Sequence, residues 1–251
     1  GTKGRCRDCR VLTRTRTTHA KAVDSVVSVS TFAIEKHQEH GLFQQIPGHV
    51  IPNALRGDLA YVADARTRNQ TERLRFGYLG RIDKPKGIET LLSAARDLED
   101  RGHDFELVVA GAGAMEYQQE LQKRWPSRKN RFIGFVSPEA LFAQIDVLIF
   151  PSESYETFGS VVVEAYSQGI PVVASRCGGT TDTVNHGQTG FLTRSGDAED
   201  LASAMEKFLC DHRLLNTFSR NAIATISEFS MAVQADRYLA AIEETLTGSA
   251  E

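Results

Sequence analysis

The chain has 251 residues, 41% of them apolar and 24% charged, with a formal net charge of −3. This is enough for a large domain with a real core; it excludes a disordered chain and gives no reason to expect attraction to nucleic acid. No apolar run approaches the roughly 20 residues that span a bilayer, and the first residues lack signal-peptide anatomy, so the expectation is a soluble, cytoplasmic protein with no integral membrane segment.

The start is basic and irregular. Across residues 1–21, Lys3, Arg5, Arg7, Arg10, Arg14, Arg16 and Lys21 face a single Asp8. Such a block reads as a solvated or frayed segment; a peripheral contact with the cytoplasmic face of a membrane is the lesser reading. Cys6 and Cys9 form a C-x2-C, half of a zinc site at most, because no second pair accompanies it and the nearest histidine is His19. Two ordinary thiols remain the plainer reading. Cys177, before Gly178 and Gly179, reads as structural.

A β-branched strand is predicted at 25–30, and its last serine opens a helix stopped at Gly41. Pro47 and Pro52 frame an extended segment that reads as a linker. Residues 55–73 are polar without a clear period. From residue 74 onward, short apolar strands alternate with amphipathic helices: LRFGYLG, FELVVAG, RFIGF, DVLIFPS, IPVVAS and GFLT are the strands. Helices are predicted between them, one capped by Ser137 with Pro138 at its first position. Three more follow at 197–211, 212–227 and 230–246. Continuously apolar strands alternating with helices indicate a parallel sheet buried on both faces, so residues 74–230 are expected to form one doubly wound α/β domain.

Ligands in such sheets bind beyond the carboxyl ends of the strands. The loop from Gly80 to Gly87 carries Arg81 and Lys86 ahead of a helix start, an arrangement suited to an anion. It reads equally as a solvated turn with surface cations. Gly111 and Gly113 hint at a dinucleotide fingerprint, but Glu116 stands where the third glycine belongs and no acid ends the next strand. These glycines are expected to allow a tight turn near a ligand. In ETFGSVVVE, Glu156 lies in a loop and Glu164 inside the following helix. Eight helical residues span about 12 Å, whereas paired glycosidase carboxylates lie about 5–10 Å apart. These two suit the ends of a long ligand, with the helix N-terminus facing something negative between them. Glu164 is also readable as a satisfied acid on a half-buried helix.

The pieces VIPNA, GRIDKPKGIETLLSAA, LVVAGAGA, FIGFVSPEAL, ETFGSVVVE, EAYSQGIPVVASRCGG and GQTGFL occur in this order across residues 50–193. Together they resemble the retaining glycosyltransferases of family 4, which have the GT-B fold. The resemblance implies a Rossmann-like α/β domain, the C-terminal half of that fold, binding a nucleotide-sugar. It places Arg81 and Lys86 on the diphosphate, with Gly80 beside them. Glu156 and the N–H groups of Thr157, Phe158 and Gly159 would hold the transferred sugar. Ser160 and Val161 would meet phosphate, Glu164 the ribose, and the backbone near Phe135 and Val136 the base. Arg81, Lys86 and Glu156 would carry the catalysis. No metal or other cofactor is implied, and no Asp-x-Asp occurs.

The resemblance also divides the chain. Residues 1–52 are similar only to the tail of an acceptor-binding first domain and its linker, 53–229 to the donor domain, and 230–251 to a helix that returns to the first domain. The expectation is a donor-binding half, with the acceptor (a glycan, lipid or small molecule) held elsewhere, and with 1–40 and 230–251 poorly anchored or packed on a neighbouring chain. A sugar-nucleotide epimerase of the same fold and a non-catalytic nucleotide-sugar binding module are the alternatives.

Overall fold

The computed structural model describes residues 19–20, 22–55 and 73–248. The Cys6–Cys9 pair, nearly all of the basic start and most of the polar stretch at 55–73 lie outside the described residues.

Two short parallel strands, β1 (Val26–Ser28) and β2 (Gly48–Val50), flank helix α1 (Thr31–Glu39). Ser30 starts the helix, its hydroxyl accepting the Ala33 N–H at 3.2 Å. Strand β2 corrects the reading of this segment as linker alone. Val26, Val27 and Ser28 pair with Gly48, His49 and Val50, and the two prolines, which lack the N–H a ladder needs, bound the strand without interrupting it. The described part of this unit has anchors in its own chain. The Thr31 N–H donates to Asp182 Oδ2 at 2.5 Å, Phe32 packs on Tyr155 with centroids 4.9 Å apart, and the Leu55 N–H donates to the Phe229 carbonyl at 2.7 Å.

The main sheet is built from β3 (Leu74–Leu79), β4 (Phe105–Ala110), β5 (Asn130–Gly134), β6 (Val147–Phe150), β7 (Val172–Ser175) and β8 (Gly190–Thr193). Its helices are α2 (Ile88–Asp100), α3 (Met115–Arg124), α4 (Pro138–Phe142), α5 (Ser160–Ser167), α6 (Thr180–Thr183), α7 (Ala198–Cys210), α8 (His212–Thr225) and α9 (Met231–Gly248). The six strands are parallel in the order β5-β4-β3-β6-β7-β8. Successive strand residues point to opposite faces, and each face has its own core. Phe76, Leu107, Val109, Val147 and Ile149 pack with Leu91 and Leu98 of α2 and Met205 and Phe208 of α7. Val108, Leu148 and Val172 pack with Leu141 and Phe142 of α4 and Val162 and Tyr166 of α5. Burial on both faces is what the continuously apolar strands predict. Edge strand β5 departs from this, its positions being half-buried or exposed throughout.

The strand order reverses between β3 and β6. From β3 the chain runs outward to β4 and β5, then returns to lay β6 against the other side of β3. The loops after β3 and β6 therefore diverge, and a crevice opens between them at the carboxyl end of the sheet.

Candidate active site

That crevice is a cleft of about 390 Å³. The end of β3 supplies Tyr78, Leu79, Gly80 and Arg81, and the end of β6 supplies Phe150, Pro151 and Ser152. Lys86 comes from a 3-10 turn (Lys84–Lys86), and Asn53 from the segment after β2. The floor is Glu156, Thr157, Phe158, Gly159, Ser160 and Val161, where the chain enters α5.

Local chemistry explains how each wall is held. The Tyr78 hydroxyl donates to the Arg81 carbonyl at 2.5 Å, pinning the turn after β3. Burial, with the nearby Asp83 and Glu156 charges, pushes this phenol well above its ordinary value, so it stays a donor. Gly87 sits at φ 71°, and a Cβ there would lie 1.8 Å from the Pro151 carbonyl oxygen, so only glycine lets the two loops close on each other. Once closed, the Pro85 carbonyl accepts the N–H groups of both Glu153 and Ser154, at 2.9 and 3.0 Å. Gly159, at φ 82°, caps α5. The first N–H groups of a helix have no carbonyl partner within it, and Ser160 and Val161, at the positive end of the α5 dipole, line the cleft.

The charged groups converge from distant parts of the chain. Lys86 Nζ lies 2.6 Å from Glu156 Oε1, and both side chains are largely buried. Arg81 is far more exposed and sits 3.3 Å from Asp83 Oδ2. Glu156 is fixed through its backbone as well, since its carbonyl accepts the Gly179 N–H at 2.7 Å. The cleft thus offers two cations and a helix N-terminus to an anion, with one carboxylate beside them for hydroxyl groups.

Nine of the sequence-derived site residues line this cleft: Gly80, Arg81, Lys86, Glu156, Thr157, Phe158, Gly159, Ser160 and Val161. Phe135, Val136 and Glu164 do not line it. Phe135 is exposed after β5, and Glu164 is half-buried on α5. The glycines after β4 allow a close approach between two loops. A Cβ on Gly111 would meet the Gly80 carbonyl oxygen at 1.8 Å, and one on Gly113 the Ile82 carbonyl oxygen at 2.2 Å. They let two loops touch, with the Ile82 N–H donating to the Ala112 carbonyl at 2.8 Å. Sequence reasoning missed Ser152, whose hydroxyl donates to Glu156 Oε1 at 2.7 Å. The available signal was a small hydroxyl residue at the very end of an apolar strand. Cys177 is buried, its thiol donating to the Ser154 carbonyl.

Fold and cleft together define a Rossmann-like α/β domain with its pocket at the switch point of the sheet. The family model described as glycosyl transferases group 1 matches residues 63–225, more than half of the chain, and the chain belongs to that family. Among curated relatives, the capsular polysaccharide biosynthesis glycosyltransferase CapM of Staphylococcus aureus is 30% identical over 150 residues, 58% of this chain and 39% of that protein. A sulfoquinovosyl transferase of Arabidopsis thaliana is 35% identical over 159 residues, 58% of this chain and 30% of that protein. The chain thus spans well under half the length of these relatives. Among solved structures, HepE of Anabaena in complex with UDP and glucose matches with a TM-score of 0.77 at 25% identity, over 95% of this chain and 67% of that one. Sucrose-phosphate synthase of Thermosynechococcus elongatus matches with a TM-score of 0.75 at 27% identity, over 94% of this chain and 63% of that one. These neighbours are GT-B glycosyltransferases, and the six-stranded parallel sheet flanked by helices agrees with the expected fold class. Among the described residues no helix is long and apolar enough to cross a membrane.

Proposed function

We propose that this chain supplies the donor-binding half of a retaining glycosyltransferase of family 4. The observation that carries the proposal is the convergence of Arg81, Lys86, Glu156 and the N-terminus of α5 on one cleft at the switch point. The complex of HepE with UDP and glucose supports a nucleoside diphosphate and a sugar as the ligands.

In this reading Arg81, Lys86 and the α5 N–H groups grip the diphosphate. Glu156, with the backbone of Thr157, Phe158 and Gly159, receives hydroxyls of the sugar. The ribose extends toward Glu164 and the base toward Phe135 and Val136. The bond from the anomeric carbon to the diphosphate oxygen breaks, and the acceptor oxygen bonds to that carbon on the same face. The acceptor's proton passes to the departing diphosphate oxygen. Preorganised positive charge stabilises the leaving group as its charge grows, and such stabilisation is the largest single contribution in many enzymes. The countercharge comes from side chains and a helix end, so transfer is proposed to proceed in the presence of a chelator. The acceptor is proposed to dock on a facing first domain, of which 1–52 resemble the tail, and the chain alone is expected to transfer little sugar.

The test is calorimetric titration with UDP, GDP and ADP in turn, on the wild-type chain and on Lys86→Ala. One diphosphate should bind with a Kd between about micromolar and millimolar, and the variant should lose it. Failure of all three to bind, with the first domain added back, would remove the proposal.

A further inference from the structure

We propose that Ser152 is a positioning residue that selects which oxygen of Glu156 meets the donor sugar. The inference rests on the donor reading above and deepens it. Ser152 follows Pro151 at the end of β6 and is 1% exposed. Its Oγ lies 2.7 Å from Glu156 Oε1, 3.1 Å from the Ser154 carbonyl oxygen, and 3.5 Å from both the Pro85 carbonyl oxygen and Ser154 Oγ. A hydroxyl has one proton to give. The carboxylate is both the shortest contact and the charged acceptor, so the proton goes there.

Lys86 Nζ approaches the same oxygen, at 2.6 Å. Oε1 therefore takes two donors from two different loops. Oε2 takes no hydrogen bond from the described residues, and it is the oxygen left for a ligand hydroxyl. The backbone of Glu156 is already held, its N–H by the Cys177 carbonyl at 3.4 Å and its carbonyl by the Gly179 N–H at 2.7 Å. Rotation of the side chain is the freedom that remains. Lys86 alone is a mobile point charge that can follow a rotating carboxylate. Ser152, buried and short, cannot follow. Its hydroxyl converts a cation–carboxylate pair into a fixed orientation, and a misplacement of about 1 Å at such a site is costly in rate.

A residue that merely supported the fold would affect every ligand of the cleft alike. Ser152→Ala and the wild-type chain would each be titrated with UDP and UDP-glucose, GDP and GDP-mannose, and ADP and ADP-glucose. The expected result is an unchanged nucleoside-diphosphate affinity, which also reports an intact fold, with nucleotide-sugar affinity weakened about tenfold, the scale of one charge-assisted contact. Equal loss for both members of a pair, or no change in either, overturns the proposal. Absence of binding by the wild-type chain to all three pairs, with the first domain added back, overturns the donor reading and the sugar contact with it. A crystal structure of Ser152→Ala then decides the positioning role separately. Rotation of the Glu156 carboxylate out of its present orientation is expected, with Lys86 following it, and an unmoved carboxylate overturns that role.

Discussion

Lys86 Nζ sits 2.6 Å from Glu156 Oε1 although the two residues are 70 positions apart. The cation proposed for the diphosphate and the acid proposed for the sugar thus touch each other, and in that proposal the boundary between the two halves of the donor falls at this contact. It also means that neither residue is altered alone, since removing one leaves the other partly buried without its partner.

Lys86→Ala is expected to weaken nucleoside-diphosphate binding about ten- to hundredfold, the scale of one charge-assisted hydrogen bond. Isothermal calorimetry reads this directly. An unchanged affinity would show that the phosphate lies elsewhere.

Glu156→Gln should act in the opposite sense on the same ligand. With the carboxylate gone, Lys86 has no competitor for phosphate, so the diphosphate should bind as well as before or tighter. Transfer in the complete enzyme should nevertheless drop about a hundredfold or more if Glu156 positions the sugar. Parallel loss of diphosphate binding would contradict this division of labour.

Gly87→Ala should be among the most destabilising alanine substitutions in the chain. The φ of 71° is unfavourable for alanine, and the new Cβ would start 1.8 Å from the Pro151 carbonyl oxygen. A loss of about 3 kcal/mol or more is expected, against about 1 kcal/mol for Gly41→Ala, where φ is 78° but nothing lies within 4 Å. Denaturant titration of both variants separates backbone strain from collision.

Burial pushes the Cys177 thiol above its ordinary value, so little thiolate is present at neutral pH. Peptide-resolved alkylation with iodoacetamide at pH 7.5 should mark exposed Cys210 quickly and Cys177 only after unfolding. Rapid labelling of Cys177 in the native chain would place the loop at Ser154 in a different position.

Glu206 of α7 accepts from His103 at 2.7 Å and pairs with Arg101 at 3.0 Å, beyond the end of α2. These contacts, the His103 hydrogen bond first, hold its carboxyl below the usual 4.5. A depressed folded value contributes stability above 4.5, and that contribution is lost as pH falls through the folded value. Glu206→Gln should therefore lower the Tm by about 2 °C near pH 6, the scale of a solvent-screened pair. The difference should shrink as pH falls below 4.5. A difference that stays constant as the chain is titrated through the acid range would rule out this linkage.

Much of the fold was legible because runs such as Val147–Phe150 and residues 172–174 are apolar at every position, as a strand buried on both faces requires. The caps at Ser30 and Ser137 were legible for a local reason: their hydroxyls bond N–H groups three residues on, at 3.2 and 3.3 Å. Strand β2 was not, because three residues beginning with Gly48 have no apolar run to announce them, and the strand exists only through its partner β1. The loop after β3 and the entry to α5 showed their chemistry in residue types alone. The role of Ser152 did not, since a serine after a proline looks like any turn residue until the fold brings Glu156 to it. For Gly111 and Gly113 the tight turn was legible, but the partners of their close approach, the backbone at Gly80 and Ile82, appear only in the fold.

The Pro85 carbonyl oxygen, shared by the N–H groups of Glu153 and Ser154, fastens the turn carrying Lys86 to the stretch carrying Glu156. The lock at Gly87 lies beside it. In the proposed reading, the group for phosphate and the group for sugar therefore sit on one jaw. A molecule entering the cleft meets both at their final separation, so any closing movement over it must come from the opposite side of the crevice.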